Sequence, residues 1–272
     1  MRHVVLQAGR SDREYFRDLW RYRELLYMLA WRDISVRYRQ TLIGIAWAAL
    51  RPLIATVVFS VVFGRIGKFP SPGIPYPVLV LSGMLPWQLF SSALSESGRS
   101  LVTNANLITK VYFPRLLIPG SSVIASLIDF AISAVMLVGL MLYFGAAPGW
   151  QIVCLPAFIV LALMTSAGAG IWSAALSVRY RDFLVVVPFL LQLGLYLSPV
   201  GFSSSVVPAE WRLLYSLNPM VGVIDGFRWC LLGGNVPLQP LPLAASAVLS
   251  LFVFVTGVRY FRKAEREFAD VI

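Results

Sequence analysis

The stretch LLIPGSSVIASLIDFAISAVMLVGLMLYF, Leu116 to Phe144, decides the fold class of this chain. It runs for 29 residues and contains one charged side chain, Asp129. A helix of about 20 apolar residues is long enough to cross a hydrocarbon core about 30 Å thick. The stretch therefore predicts a protein that spans a membrane.

The rest of the chain has the same character. Of its 272 residues, 58% are hydrophobic and only 13% are charged, which leaves too few polar side chains to coat a soluble globule. We therefore predict an all-α integral membrane protein with six transmembrane helices and no soluble domain. The six spans are Leu42 to Phe63, Pro77 to Leu94, Leu116 to Phe144, Ile152 to Val178, Phe183 to Phe202, and Leu241 to Tyr260.

The cations predict the orientation of these spans. Nine arginines precede the first span, and 18 of the 23 Lys and Arg residues fall on the side that holds both termini. Because cations accumulate on the cytoplasmic side of membrane proteins, both termini are expected in the cytoplasm. The domains are then a cytoplasmic segment 1–41, a membrane domain 42–260 and a cytoplasmic tail 261–272. The net charge of +10 reflects this topology, and no nucleic-acid partner is expected.

An amphipathic helix is predicted before the first span. Apolar side chains recur there at steps of four and three residues, which places them on one helix face: Tyr15, Leu19, Tyr22, Leu26 and Leu29. Four arginines of this segment would meet anionic lipid phosphates at the inner surface: Arg17, Arg21, Arg32 and Arg37. The helix either anchors the first span or also borders a portal for a lipid-attached substrate.

The segment between the fifth and sixth spans is too apolar for an ordinary loop. VPAEWRLLYSLNP and VGVIDGFRWCLLG each fit a helix of half the length of a span. We predict two short re-entrant or interfacial helices, with a simple external loop as the alternative. Asp225 and Arg228 are three residues apart on the second helix, so a local ion pair is expected.

Two charges fall inside predicted spans. Arg51 lies about ten residues into the first span, at a cost of about 2.5 to 3.5 kcal/mol for an arginine at the centre of a membrane helix. Asp129 lies near the middle of the third span. Such groups face the interior of a bundle, so Arg51 and Asp129 either pair with each other or with polar neighbours, or line a wet pathway.

The chain shows no pattern typical of catalysis. It lacks the spacing of a phosphate-binding P-loop, it has a single histidine, His3, and its cysteines Cys154 and Cys230 are best interpreted as packed thiols. No catalytic residue, metal or cofactor of its own is therefore expected, and the chain is not expected to be an enzyme.

Four segments carry a family resemblance. YRQTLIGIAWAALRPL (38–53), VTNANLITKVYFPRLLIP (102–119), RYRDFLVVVPFLLQLGLYLSPVGF (179–202) and LNPMVGVIDGFRWCLLG (217–233) are similar to the permease subunit of bacterial ABC exporters for polysaccharides, such as O-antigen, teichoic acid and capsule. The resemblance covers nearly the whole chain. It implies a homodimer in the inner membrane that works with two copies of a cytoplasmic ATPase, which binds ATP and Mg. The implied cargo is a lipid-linked polysaccharide.

The resemblance also implies roles for particular residues. It assigns ATPase docking to the link after the second span and to a second short link: Asn104, Asn106, Lys110, Tyr112, Phe113, Arg115, Arg179, Arg181 and Asp182. The translocation path would use charges and aromatic rings, since rings offer sugars a surface of low specificity: Trp47, Arg51, Phe59, Phe63, Asp129, Phe189 and Tyr196. Core packing alone is the alternative for each ring. Arg51 would face the phosphate of the lipid carrier.

Two other functions compete with this one. A permease of the same exporter type for drugs or lipids would share the topology, and a membrane enzyme acting on lipid-linked sugar would need carboxylate or histidine clusters. Arginine outnumbers lysine by 20 to 3, which hints at a GC-rich genome and a Gram-negative host. O-antigen is therefore the favoured cargo.

Overall fold

The computed structural model describes residues 12–39, 44–71, 73–234, 236–265 and 268, and all regular structure within them is helical. The helices are α1 Asp12–Arg21, α2 Arg23–Arg39, α3 Gly44–Phe59 with a π-helical extension Ser60–Ile66, α4 Tyr76–Thr103, α5 Ala105–Lys110, α6 Leu117–Phe144, α7 Leu155–Arg179, α8 Phe183–Leu197, α9 Arg212–Tyr215, α10 Pro219–Leu231 and α11 Pro240–Ala264. Short 3₁₀ turns precede α7 and α9.

Five stretches among the described residues are long and apolar enough to cross a membrane. They are Ala46–Ile66, Tyr76–Thr103, Leu117–Phe144, Trp150–Arg179 and Pro240–Ala264. The prediction of an all-α multi-pass membrane protein is confirmed. Leu42 and Ile43, the first residues of the predicted first span, lie outside the described residues, as do positions 266, 267 and 269–272 of the tail.

The fifth predicted span is shorter than the sequence suggested. Its helix, α8, has 15 residues and extends over about 22 Å at 1.5 Å per residue. The prediction ran on to Phe202, but the helix ends at Leu197, where Ser198 is extended with φ −97° and ψ 153°. A proline disfavours the helical conformation of the residue before it, so Pro199 explains this break.

Helix α4 lies at the centre of the bundle. In its most apolar window 67% of the residues are buried, against 11% to 28% in the other four spans. It packs mainly against α6, α7 and α10, and its first half from Val78 to Leu89 supplies much of the core. The remaining helices are therefore positioned by their contacts with α4 and its neighbours.

The N-terminal region forms two helices rather than one, with the break at Tyr22. Its predicted apolar face packs on the bundle: Leu29 is buried, and Leu19, Tyr22 and Leu26 pack on the same hydrophobic cluster. The face left outward carries three exposed aromatic side chains, Trp20, Tyr27 and Trp31. This face is therefore covered by protein, whereas a helix lying on the inner membrane surface would turn it toward lipid.

This cluster defines one end of the bundle, called the basic end below. It gathers residues from α1 and α2, from the link 104–115 that contains α5 (the α5 link), from the end of α7 and from the end of α11. Among its buried members are Ile108, Phe113, Val178 and Phe261. The links that the sequence analysis assigned to one side of the membrane thus meet at one end of the molecule.

The segment before α11 forms the expected short helices. The first is a 3₁₀ turn followed by the single turn of α9, whereas α10 has 13 residues and is almost wholly buried. The expected ion pair between Asp225 and Arg228 was wrong. Arg228 instead donates to three main-chain carbonyls, those of Leu79 at 3.2 Å, Val200 at 2.8 Å and Phe202 at 2.7 Å.

Helices α7 and α11 cross closely at two glycines. A Cβ on Gly168 would lie 2.6 Å from the main chain of Phe254, and a Cβ on Gly257 would lie 2.5 Å from the carbonyl oxygen of Gly168. Small residues permit such approaches between membrane helices, which pack by van der Waals contact. The pair therefore sets the distance between α7 and α11.

We expect Gly168→Ala to destabilise the protein by about 1 to 3 kcal/mol, because the added methyl group meets backbone that cannot rotate away. Gly139→Ala is the matched control, since a Cβ at this helical glycine meets nothing within 4 Å. Thermal unfolding in detergent measures both variants. Equal midpoints for the two would contradict this account of the crossing.

Candidate functional site

A cavity of about 930 Å³ opens between α2, α3, α4, α6 and α8. Its size is within the range of clefts that bind small molecules. Its lining is mixed, with charged groups, hydroxyls and one indole: Arg37, Tyr38, Trp47, Ala48, Arg51, Pro52, Gln88, Ser91, Ser92, Ser95, Glu96, Arg99, Asp129, Ser133, Pro188 and Leu191. Charged side chains are costly inside a membrane bundle, so their concentration at one cavity marks it as the candidate site.

Asp129 is the centre of an acidic group on one wall. Its carboxylate accepts hydrogen bonds from the Arg37 guanidinium and the Tyr38 hydroxyl, and Arg37 lies 3.6 Å from the carboxylate of Glu96. Of the alternatives for Asp129, pairing with polar neighbours is the one found, and the same carboxylate also faces the cavity. Helix α2 is thereby fastened to α4 and α6 beside the site.

Arg51 lies on α3 and faces the cavity with its side chain exposed. Within the part of the chain that the structure describes, it makes no hydrogen bond and no ion pair. Arg99 is held by Ser95, to which its Nη2 donates at 2.9 Å. The cavity thus holds three guanidinium groups against two carboxylates, and the Arg51 guanidinium is available to bind an anion.

Helix α4 supplies a polar stripe that the sequence analysis missed. Gln88, Ser92, Ser95 and Arg99 follow one another at steps of four, three and four residues, so they share one face of an apolar helix. Ser133 on α6 donates to the side-chain oxygen of Gln88 at 3.1 Å. The spacing of these polar residues within a predicted span was the signal that could have found them.

A group of aromatic rings lies at the other end of α3. The rings of Phe59 and Tyr196 are nearly parallel, with their centroids 6.4 Å apart. The ring centroids of Phe59 and Phe63 are 5.4 Å apart. Phe63 also contacts Phe69 and Phe202. Three of the predicted path rings are therefore together. Separate from them, Trp47 lines the cavity, and Phe189 lies on the exposed face of α8, outside both groups.

The predicted docking residues divide into two sets at the basic end. Most are exposed or half-exposed, and Tyr112 is exposed by 60%: Asn104, Asn106, Lys110, Tyr112, Arg179, Arg181 and Asp182. Phe113 is only 4% exposed and packs in the hydrophobic cluster. Direct docking by Phe113 was therefore a wrong expectation, because its ring already has a place in the core.

Arg115 is also engaged within the protein. Its main-chain N–H donates to the carboxylate of Glu265 at 2.8 Å, and its guanidinium donates to the carbonyl oxygen of Glu265. The side chain thus holds the link against the end of α11. It is not a free cation for a partner.

The four arginines predicted for the membrane interface differ in their exposure and in their partners. Arg17 and Arg21 are exposed, and Arg32 pairs with Asp33 at 2.8 Å. Arg37 turns away from the surface toward Asp129 and Glu96. The expectation that Arg37 meets lipid phosphate was wrong, since two carboxylates of the bundle neutralise it.

These features define a multi-pass helical membrane protein with a charged cavity inside its bundle. A sequence profile of the ABC-2 type transporter family matches residues 24–232, which is most of the chain. The chain belongs to the ABC-2 type transporter family. The match begins within α2 and ends just after α10, so it includes every helix that lines the cavity.

Several characterised relatives are similar over nearly their whole length. The chain is 29% identical to the O-antigen export system permease protein RfbA of Myxococcus xanthus, over 94% of this chain and 98% of the relative. It is 24% identical to the protein of the same name from Klebsiella pneumoniae, over 92% and 95%. It is 25% identical to the polysialic acid transport protein KpsM of Escherichia coli, over 86% and 91%. These relatives are transport proteins.

Proposed function

We propose that the chain is the membrane subunit of an ATP-driven exporter that moves a lipid-linked polysaccharide, with O-antigen as the favoured cargo, across a bacterial inner membrane. The observation that carries this proposal is the end-to-end similarity to relatives named for O-antigen export and polysialic acid transport. A relative named only as an inner membrane transport permease, YadH of Escherichia coli, matches 69% of the chain. The longer matches favour polysaccharide over a drug or lipid.

The cavity suits the head of such a substrate. A lipid-linked glycan brings an acidic phosphate next to sugar hydroxyls, and guanidinium groups bind phosphate oxygens through paired hydrogen bonds. Arg51 is placed for the phosphate, while Gln88 and the serines of α4 can bond to hydroxyls. The rings of Phe59, Phe63 and Tyr196 then continue along α3 and α8 as a surface for the sugar chain.

A separate ATPase and a second copy of the chain complete the proposed transporter. The exposed side chains Lys110 and Tyr112 of the α5 link offer a contact for the ATPase. Helix α8 has no buried residue although it is strongly apolar, which is the surface that a second copy would cover. We therefore propose a homodimer with two ATPase copies, which bind the ATP and Mg.

The basic end is proposed to face the cytoplasm, with both chain termini on that side, because most of the cations lie there. We expect a tag at Met1 and a tag at Ile272 to be protected from protease in cells whose outer membrane alone has been opened, and to be cleaved after the inner membrane is opened as well. Cleavage of either tag from the periplasmic side would overturn this orientation.

The function is tested by purifying the chain together with the product of a neighbouring ATPase gene. We expect ATP hydrolysis that rises with lipid-linked glycan. Loss of either gene should leave the glycan inside the cell on its lipid carrier. A drug or lipid exporter would leave the cellular glycan unchanged, and a membrane enzyme would alter the glycan without any need for the ATPase.

A further inference from the structure

Glu265 joins three separate segments at the basic end. Its Oε1 accepts the main-chain N–H of Arg115 at 2.8 Å, and its Oε2 accepts the hydroxyl of Tyr15 at 2.9 Å. The Arg115 guanidinium returns a bond to the Glu265 carbonyl oxygen. Glu265, the residue that directly follows α11, is therefore bonded to α1 and to the α5 link.

The charges around Glu265 strengthen this junction. A phenol is already protonated at neutral pH, so the Tyr15 hydroxyl donates there, and burial together with the neighbouring Glu265 carboxylate raises its pKa further. The Arg262 guanidinium lies 4.8 Å from the centre of the Tyr15 ring. Burial raises the pKa of the Glu265 carboxyl, whereas its bonds from Arg115 and Tyr15 and the nearby Arg115 and Arg262 guanidinium groups lower it. In its ionised form the carboxylate accepts stronger hydrogen bonds than a neutral group does.

Hydrophobic packing also holds these segments together. Phe268 is 2% exposed and its ring centroid lies 5.4 Å from that of Phe261. Both rings belong to the hydrophobic cluster that also buries Phe113 and Leu29. The α5 link consequently has an exposed half around Tyr112 and a half that is held in the protein.

We propose that Glu265 is a positioning residue that joins the α5 link, α1 and the end of α11 into one unit, so that a push on the exposed half of the link moves the N-terminal helices and the last span together. This inference rests on the proposed function, in which the link receives the ATPase. Coupling between distant sites travels through packed and hydrogen-bonded contacts with defined arrangements. Without the Glu265 carboxylate, α1 loses its bond to this junction and the link keeps only the bond from Arg115 to the Glu265 carbonyl oxygen, so movement of the link would be passed on less completely to α1 and α11.

The test is Glu265→Ala in the full chain, assembled with the ATPase in proteoliposomes. The readout is the glycan moved per ATP hydrolysed. We expect normal assembly and hydrolysis close to wild type, with a ratio that falls by about fivefold or more, the lower end of couplings between sites. Glu265→Gln retains an acceptor oxygen for Arg115 and should keep most of the ratio. Glu210→Ala, an exposed carboxylate of the segment before α9, is the matched control and should match wild type.

The outcomes separate this inference from the proposed function. A wild-type complex that neither moves glycan nor hydrolyses ATP would refute the function itself. A working wild type whose Glu265→Ala variant keeps the same ratio overturns the inference, as does a variant in which movement and hydrolysis fall together. Should Glu265→Ala fail to accumulate, Tyr15→Phe removes one bond of the junction with little change in shape. A wild-type ratio for Tyr15→Phe then overturns the inference.

Discussion

Replacing Arg51 by glutamine is expected to reduce glycan export, and glycan-stimulated ATP hydrolysis with it, by about tenfold or more. Hydrogen bonds to a charged group contribute about 1.5 to 3 kcal/mol, and 1.4 kcal/mol corresponds to about a factor of ten in affinity. Arg51 faces the cavity and has no partner within the described residues, so its substitution leaves no carboxylate unpaired. The substitution should therefore weaken the binding of the substrate and leave the stability of the fold unchanged.

The comparison of variants makes this prediction specific. Arg51→Lys keeps the charge but loses the planar pair of donors, so an intermediate loss is expected. Arg65→Gln is the matched control, because Arg65 is an exposed arginine at the far end of the same helix and outside the cavity. Transport of lipid-linked glycan into proteoliposomes measures all three. Wild-type transport by Arg51→Gln would remove Arg51 from the proposed site.

Much of the fold was predictable because the membrane limits the choice. Apolar length alone predicted spans from Leu116 to Phe144 and from Leu241 to Tyr260, which the structure gives as Leu117–Phe144 and Pro240–Ala264, since a continuous apolar segment of this length satisfies its own backbone in lipid as a helix. The early end of α8 depended on a local conflict between the apolar pattern and Pro199. The apolar residues continue past Pro199. The residue before a proline disfavours the helical conformation, however, so the helix ends before Ser198.

The face of the N-terminal helices could not be decided from periodicity. A stripe of leucines satisfies the pattern equally well against lipid and against protein, because both are apolar. The structure places Leu29 and Leu26 on the bundle. What would have decided the question is the partner surface, which is formed by residues more than 70 positions further along the chain, such as Leu101 and Phe261.

The site was predictable in its charges but not in its pairings. Arg51 and Asp129 stood out because charges are rare in spans, and both line the cavity. The partner of Asp129 is Arg37, 92 residues away, and a single sequence contains no signal for such a contact. Phe113 and Arg115 were misjudged for the same reason, since exposure depends on the elements that cover a link and not on the link itself.

Replacing Arg228 by methionine is expected to destabilise the protein by about 2 to 6 kcal/mol, because a buried acceptor left without a donor costs about 1 to 3 kcal/mol and the carbonyls of Val200 and Phe202 would both lose theirs. Arg228 is fully buried and its guanidinium joins the first turn of α4 to the break after α8, through the carbonyls of Leu79, Val200 and Phe202. Gly83 makes room for it, because a Cβ there would lie 2.6 Å from Nη2. Methionine fills the space but leaves the carbonyls of Val200 and Phe202 without this donor, whereas the carbonyl of Leu79 still accepts from the Ser82 hydroxyl.

Arg212→Met is the matched control, since Arg212 belongs to the same segment, is exposed, and donates to the carbonyl of Val207 from the surface. Thermal unfolding and size-exclusion chromatography in detergent should show little change for Arg212→Met and a large fall in midpoint or yield for Arg228→Met. Arg228→Lys should lie between them, because an ammonium cannot span carbonyls on both α4 and the break as a guanidinium does. Equal stability of Arg228→Met and wild type would mean that packing around α10, and not this guanidinium, fixes the end of α8.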